Sequence, residues 1–399
     1  MKKFLVVLLI LVVAGGVFAQ ELKLSGLLNS GLQLNVFDGD TKQQSTVGAY
    51  AYDAGQNGYR FRLNGAFTMG NMGVNFRFQS QGGTSNQAAN IAFAYGYVNL
   101  FDGMINLNGG VIDNGTYNSM GDWDSDGGEG TGALINIRPI KDLSIGLGIY
   151  ADAKGTAAPA TAWDVMKFTG NVAFTMPDLF KLTAVYAMDN LQSYTPPGGS
   201  SVTVKDYKQI SAGLSILAVK NLKFIIEGAG RFYEVPTGQK YTPGMVVETI
   251  SYKIDKLDFG IIGYEYFNGR PFWSDNPDKK NPAWNDAFTA ATTAGVHDIS
   301  FGFTVEPWIS YTINGNIVPK LAFKYGMDNL DRDGTQLDMT LTEMRIKPSI
   351  RFNLPMSSWI ELAYEFYYVT ASGKTTTGAS IADFSRNLNR VYVDFVWKF

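Results

Sequence analysis

The sequence predicts an all-β protein, a single antiparallel up-and-down β-barrel of about eighteen strands that spans a membrane. Three observations predict this fold. Apolar and polar residues alternate in segments of roughly ten from Glu21 onward, short turns alternate with long polar loops, and no apolar run after the N-terminal segment is long enough for a membrane-spanning helix.

The terminal segment Val391–Phe399 shows the alternation best. Its odd positions carry only apolar residues, whereas Asp394 and Lys398 fall on the other face. The segment Ser358–Tyr368 repeats the pattern, with Glu361 and Glu365 opposite an apolar face. Because successive side chains of a strand point to opposite sides, such a strand has one face suited to lipid and one suited to water.

The spacing of turns and loops favours a barrel over a sandwich. Short turns rich in Gly, Pro, Asp or Asn are predicted at 70–71, 101–103, 139–142, 177–178, 219–221, 255–256, 314–315 and 355–357. Long loops are predicted at about residues 38–56, 82–90, 114–129, 152–162, 189–205, 235–243, 268–295, 326–340 and 370–387. Strict alternation of the two is typical of bacterial barrels, which have short periplasmic turns and long extracellular loops.

Counting these segments gives about eighteen strands, with both chain ends on the short-turn side. Sixteen strands are an alternative, because the segments near Val246 and Leu257 are weakly patterned. Pro348 falls in the middle of a predicted strand, where it removes a ladder hydrogen bond, so a bulge or a misplaced strand is expected there.

The N-terminus has the layout of a secretory signal. Lys2 and Lys3 precede an apolar run from Phe4 to Val13 and a small-residue stretch that ends at Ala19. The simplest interpretation is a cleaved signal peptide at 1–19 and a transmembrane β-barrel at 20–399, with an N-terminal membrane anchor as the alternative. The run is too short to cross a bilayer as a helix.

Composition excludes several functions. The chain has no Cys and one His, so disulfides, thiol catalysis, thiolate metal sites and paired-histidine chemistry are unavailable, and no enzymatic activity is expected. The formal net charge of −3 gives no nucleic-acid signature.

The charged residues of the predicted strands are the candidate pore lining. A Lys or Arg facing lipid at mid-depth would cost about 2–4 kcal/mol, so these residues should face water. The predicted pore-lining residues are Arg60, Arg62, Arg77, Lys167, Lys223, Arg231, Lys320, Lys324, Arg345, Lys347, Arg351, Glu361 and Glu365, and Lys181, Glu227, Glu306, Glu343 and Asp394 share their face. The excess of basic residues suggests a lumen that favours anions; acid and base pairs without net selectivity are the alternative.

The chain resembles porin-like outer-membrane β-barrels of double-membraned bacteria over essentially its whole mature length. The signal ending at Ala19 and the C-terminal Phe399, preceded by Trp397, Phe395 and Val393, carry this resemblance. It implies that these last four residues are the signal read by the barrel-assembly machinery. It further implies integration in outer-membrane lipid, small hydrophilic solutes as cargo, and a homotrimer as one assembly state.

An acidic segment in the third long loop carries Asp122, Asp124, Asp126 and Glu129. Spaced carboxylates followed by Gly resemble the start of a calcium loop, so Ca²⁺ is a candidate ligand of the three aspartates. The bidentate Glu of an EF-hand is replaced by Ala133. The porin resemblance implies instead that this loop folds into the lumen as a constriction opposite the basic wall. A solvated loop is the third hypothesis.

The favoured function is passive diffusion of small hydrophilic solutes, with a bias toward anions. A surface adhesin or structural outer-membrane barrel is the alternative from a different class. A barrel that transports hydrophobic substrates is a weaker hypothesis, because that class begins with an N-terminal plug, whereas here the strand pattern starts at Leu22.

Overall fold

The computed structural model describes residues 21–39, 44–50, 59–82, 90–112, 130–151, 166–189, 193–194, 202–203, 205–234, 238, 240–268, 298–331, 338–374 and 380–399. Among these residues, no helix is both long and apolar enough to cross a bilayer.

Eighteen strands form the wall, and we number them β1 to β18 in chain order. They are Glu21–Gly39, Tyr59–Met69, Met72–Gly82, Asn90–Leu100, Ile105–Ile112, Gly130–Ile140, Leu143–Ala151, Met166–Met176, Phe180–Asp189, Lys205–Ile216, Leu222–Glu234, Gly244–Ile254, Leu257–Phe267, Asp298–Tyr311, Ile317–Asp331, Asp338–Asn353, Trp359–Lys374 and Ser380–Lys398. The predicted all-β class and strand number are therefore confirmed, and the weakly patterned segments near Val246 and Leu257 are β12 and β13.

Every wall strand pairs antiparallel with its neighbours in sequence, and β1 pairs with β18 to close the sheet. The lower part of β1 pairs with β2, from Glu21 opposite Thr68 to Ser30 opposite Tyr59. Its upper part pairs with the short strand Gln44–Tyr50 on the same side. Closure leaves the eighteen-stranded wall without an open edge.

Three further short strands lie outside this wall numbering. Ser193–Tyr194 pairs with Val202–Thr203, and Lys240–Tyr241 extends the pairing of β11. A 3₁₀ turn at Pro355–Ser357 connects β16 to β17.

The short turns are at the predicted positions and share one end of the barrel. Their left-handed residues show why these sequences turn: Asp178, Asn221, Asp255 and Asn314 all have positive φ, which Asp and Asn tolerate better than most residues. Glu21, where β1 begins, lies at this end too, opposite Thr68 beside the first short turn. Phe399 lies there as well, because its carbonyl accepts from the backbone N–H of Gly26 over 2.7 Å.

Pro348 corrects one expectation, because it lies within β16 without a bulge and without displacing the strand. The ladder to β15 is continuous through Leu321 opposite Pro348. On the β17 side the pairing skips from Ile346 opposite Phe366 to Ser349 opposite Ala363, and the register stays in step. Proline has no backbone N–H to donate, and the result is a local gap in the ladder between β16 and β17.

Candidate channel wall

The two faces of the wall differ in composition, and the pairing register carries each face from strand to strand. Directly paired residues of an antiparallel ladder point to the same side of the sheet. On β17, Glu365 is 2% exposed, whereas Leu362 is 47% exposed. The outer face is mostly apolar, with Leu32 and Leu147 among its exposed residues. We call the opposite face, which includes Glu365, the inner face.

Each residue that the sequence predicts to line a pore lies on the inner face. On β2 and β3 these are Arg60, Arg62 and Arg77; on β8 and β11 they are Lys167, Lys223 and Arg231; on β15, β16 and β17 they are Lys320, Lys324, Arg345, Lys347, Arg351, Glu361 and Glu365. Alternation within each strand was sufficient to assign the face of every one of them.

The inner face of β14 to β18, which we call the charged wall, holds a chain of ion pairs between neighbouring strands. Lys324 Nζ lies 3.4 Å from Glu343 Oε2, and Arg345 pairs with Glu306. Lys347 Nζ lies 3.4 Å from Glu361 Oε1. The charges of this wall therefore compensate one another across the strands.

The same chain continues on β17. Lys347 Nζ also lies 3.6 Å from Glu365 Oε1, and Arg351 Nη2 lies 2.8 Å from Glu361 Oε2. Each glutamate of β17 thus contacts two basic residues, because Arg390 Nη1 donates to Glu365 Oε2 over 3.0 Å.

Arg390 was not among the predicted residues, although it is fully buried in the charged wall. Its Nε donates to Asn35 Oδ1 on β1 over 2.8 Å, so it joins β17 to β1 across β18. Nearby, Asn29 Nδ2 donates to Asp394 Oδ1 over 2.7 Å. These bonds fasten the closing pair of strands. The sequence pattern could have predicted this position, since Arg390 and Asp394 share the even-numbered face of the terminal strand.

Arg77 on β3 has a different environment from the arginines of the charged wall. Its Nε donates to Asn64 Oδ1 over 2.7 Å, and its guanidinium lies 4.7 Å from the centre of the Phe93 ring. An amide and an aromatic face thus hold the guanidinium in position.

The inner face of β4 to β8, which we call the amide wall, is lined by asparagines and aromatic rings. Asn106 is the hub: its Nδ2 donates to Asn99 Oδ1 over 2.9 Å, and its Oδ1 accepts from Asn108 Nδ2 over 2.5 Å and Asn136 Nδ2 over 3.5 Å. Among the described residues of this wall, the charged side chains are Arg138 near the turn end and Lys167 near the loop end.

The last strand carries the predicted assembly signal on its outer face. Val393, Phe395, Trp397 and Phe399 alternate with the inner-face residue Asp394, and Trp397 and Phe399 are exposed. The Phe399 ring covers the backbone of Gly26, where a Cβ would collide with the ring. The terminal residue is therefore seated on β1.

The acidic segment with Asp122, Asp124, Asp126 and Glu129 lies outside the described residues, so its place relative to the inner face is a prediction from sequence. Within the described ranges, no group of three or more His, Asp or Glu side chains is placed to hold a metal ion.

The described strands define a closed eighteen-stranded barrel with a mostly apolar outer face and an inner face rich in charged and amide side chains, which is the architecture of porin-like outer-membrane barrels. No model of a known protein family matches the sequence. No curated protein sequence matches it either.

Solved porin structures share this fold. OccAB1 of Acinetobacter baumannii matches with a TM-score of 0.56 at 12% identity, over 94% of this chain and 97% of that chain. A BenF-like porin from Pseudomonas fluorescens Pf-5 matches with a TM-score of 0.56 at 10% identity, over 95% and 99%. OccK11 (OpdR) of Pseudomonas aeruginosa matches with a TM-score of 0.52 at 12% identity, over 94% and 96%. The predicted porin-like barrel fold is confirmed.

Proposed function

We propose that this barrel is an outer-membrane channel through which small hydrophilic solutes diffuse passively, with a preference for anions. The observation that carries the proposal is the inner face of the closed barrel, which is rich in charged and amide side chains, while the exposed side chains of the outer face are mostly apolar. A barrel of 16–18 strands is wide enough to leave an aqueous channel.

The preference for anions is inferred from the balance of charge on the inner face. In the charged wall, acids accompany the bases closely. Arg60, Arg62 and Arg77 lie on the inner face of the neighbouring strands β2 and β3, where they add to the basic residues of that face. Positive charge on a pore wall raises the local concentration of anions.

The proposed channel function includes a location in the outer membrane. Residues 1–19 serve as a cleaved export signal, and the outward face ending at Phe399 is recognised by the barrel-assembly machinery. Exposed apolar side chains around the outer face, such as Leu34 and Ile350, suit contact with outer-membrane lipid.

Single-channel recording tests the proposal directly. Residues 20–399 would be refolded, inserted into a planar bilayer, and measured for reversal potential in a KCl gradient. We expect stable conductance with a reversal potential on the anion-selective side. Replacing Arg60, Arg62 and Arg77 together by Ala should shift that potential toward zero or to the cation side.

Lys208→Ala is the matched control, because Lys208 is an exposed base on the outer face of β10. This change should leave the reversal potential unaltered. Cation selectivity of the unmodified barrel would reject the anion preference. A folded barrel without conductance would reject the channel and favour a surface adhesin or structural barrel.

A further inference from the structure

The amide wall contains a cluster of buried polar atoms at Gly146. Asn136 on β6 and Asn171 on β8 both pair in register with Gly146 on β7, so their side chains flank it from the two neighbouring strands. A Cβ at Gly146 would lie 2.5 Å from Asn171 Oδ1 and 2.8 Å from Asn136 Oδ1. The two amides therefore lean together over the glycine.

These amides are buried, and most of their hydrogen-bonding capacity is unused among the described residues. Asn136 is 7% exposed and Asn171 is 4% exposed. Within that part of the chain, Asn136 Oδ1 and both Asn171 Oδ1 and Nδ2 have no hydrogen-bond partner, and neither has Ser144 Oγ on the same face of β7. Buried polar groups are nearly always paired in native proteins, and an unpaired one costs about 1–3 kcal/mol, so a group that forms hydrogen bonds here would recover that cost.

The chemistry of the cluster specifies what that group is. Two amide oxygens require donors, one amide nitrogen requires an acceptor, and a hydroxyl group supplies both roles. A carboxylate offers only acceptors and would leave both amide oxygens unpaired. The register neighbours of the two asparagines on the inner face, Asn106 and Val185, are uncharged, so no countercharge adjoins an ion at this point.

We propose that Asn136, Asn171 and Ser144 form a binding site on the amide wall for an uncharged, hydroxyl-rich solute such as a saccharide or polyol. Gly146 is part of the site because its lack of a side chain lets the two amides converge. The hydrogen-bonded series from Asn99 through Asn106 to Asn136 leads along the wall to the site. This inference rests on the proposed channel function and assigns it a class of solute.

Uptake of radiolabelled sucrose into vesicles that contain the refolded barrel tests the site, with KCl conductance of the same preparation measured in parallel. Sucrose uptake should saturate. Asn171→Ala should raise the half-saturating concentration about threefold to tenfold, the loss expected for one or two hydrogen bonds, and leave KCl conductance unchanged. For gluconate, a hydroxylated anion, Asn171→Ala should raise the half-saturating concentration less than it does for sucrose.

Asn75→Ala is the matched control, since Asn75 is a half-buried asparagine on the inner face of β3. It should alter neither measurement. Gly146→Ala should reproduce the effect of Asn171→Ala, because the added Cβ forces the Asn171 amide away. If Asn171→Ala fails to fold, Asn171→Ser takes its place and should raise the half-saturating concentration in the same way.

Sucrose uptake that never saturates through a conducting barrel would overturn the site and leave the channel intact, since water alone would then occupy the cluster. Equal half-saturation in Asn171→Ala and the unmodified barrel would overturn it also. Absence of KCl conductance would overturn both the channel and the site, so the two failures are distinguishable.

Discussion

The charged wall and the amide wall occupy different parts of the same inner face, and they differ in whether their buried polar groups have partners. In the charged wall, buried ions are satisfied by partners on neighbouring strands, as Glu365 is by Arg390 and Lys347. In the amide wall, Asn171 retains buried donors and acceptors without a partner among the described residues. The first arrangement stabilises the barrel, whereas the second is suited to bind a solute.

The difference has a physical basis in the cost of burial. A buried charge without a partner is far more expensive than a buried amide without one, so the buried ions of the charged wall require partners on neighbouring strands. An unpaired amide costs little enough to be retained for binding. In this barrel, the charged residues of β14–β18 therefore stabilise the structure, whereas the candidate solute site consists of uncharged residues.

The largest expected effect comes from Arg390→Ala in the charged wall. The change leaves Glu365 with one fewer cation and Asn35 without its donor, in a place where Arg390 is fully buried. Breaking a buried ion pair from one side costs about 3–5 kcal/mol. Urea unfolding of the refolded barrel in lipid vesicles measures it.

Arg351→Ala is the control for this prediction. Arg351 pairs with Glu361 in the same wall, but its side chain is 43% exposed. Solvent screens such a pair, so the expected loss is at most about 1 kcal/mol. Equal losses for Arg351→Ala and Arg390→Ala would show that burial does not set the energetics of this wall.

The sequence predicted the two faces better than it predicted what each part of the inner face does. Alternation assigned Arg345, Lys347 and Glu361 to the inner face correctly, because a period of two is a local property of each strand. It could not show that Lys347 contacts both Glu361 and Glu365, since those contacts depend on the register between β16 and β17. Register is set by turn geometry and pairing, which are not local.

The amide wall was missed for a related reason. Asn136 and Asn171 are 35 positions apart in the sequence and meet only because β6 and β8 both pair with β7 at Gly146. Asparagine is also a common turn residue, so its presence carries little signal by itself. Arg390 was omitted because the terminal alternation was assigned from Val391, one residue after it, whereas β18 starts at Ser380.

A smaller effect is expected for Asn106→Ala in the amide wall. The change removes the acceptor of Asn108 Nδ2 and Asn136 Nδ2, both on buried residues, and the donor to Asn99. The loss of unfolding free energy should be about 1–2 kcal/mol, which is the cost of leaving buried amide donors unsatisfied. Asn75→Ala, measured in the same urea titration, should cost less than half as much. If Asn106→Ala lost as much unfolding free energy as Arg390→Ala, the proposed energetic difference between the charged wall and the amide wall would be wrong.

The smallest effect is expected for Asn171→Ala. Because neither amide atom of Asn171 has a partner among the described residues, the substitution removes a buried polar group without breaking a described hydrogen bond. Removing such a group relieves its desolvation cost, so the free energy of unfolding in solute-free buffer should change by less than about 0.5 kcal/mol or increase.

Urea titrations with and without sucrose separate stability from binding, because a ligand that binds only the folded barrel stabilises it by mass action. Sucrose should raise the unfolding midpoint of the unmodified barrel more than that of Asn171→Ala. A loss above about 1 kcal/mol without sucrose would mean that Asn171 supports the fold, and the contrast between a stabilising wall and a binding wall would then fail.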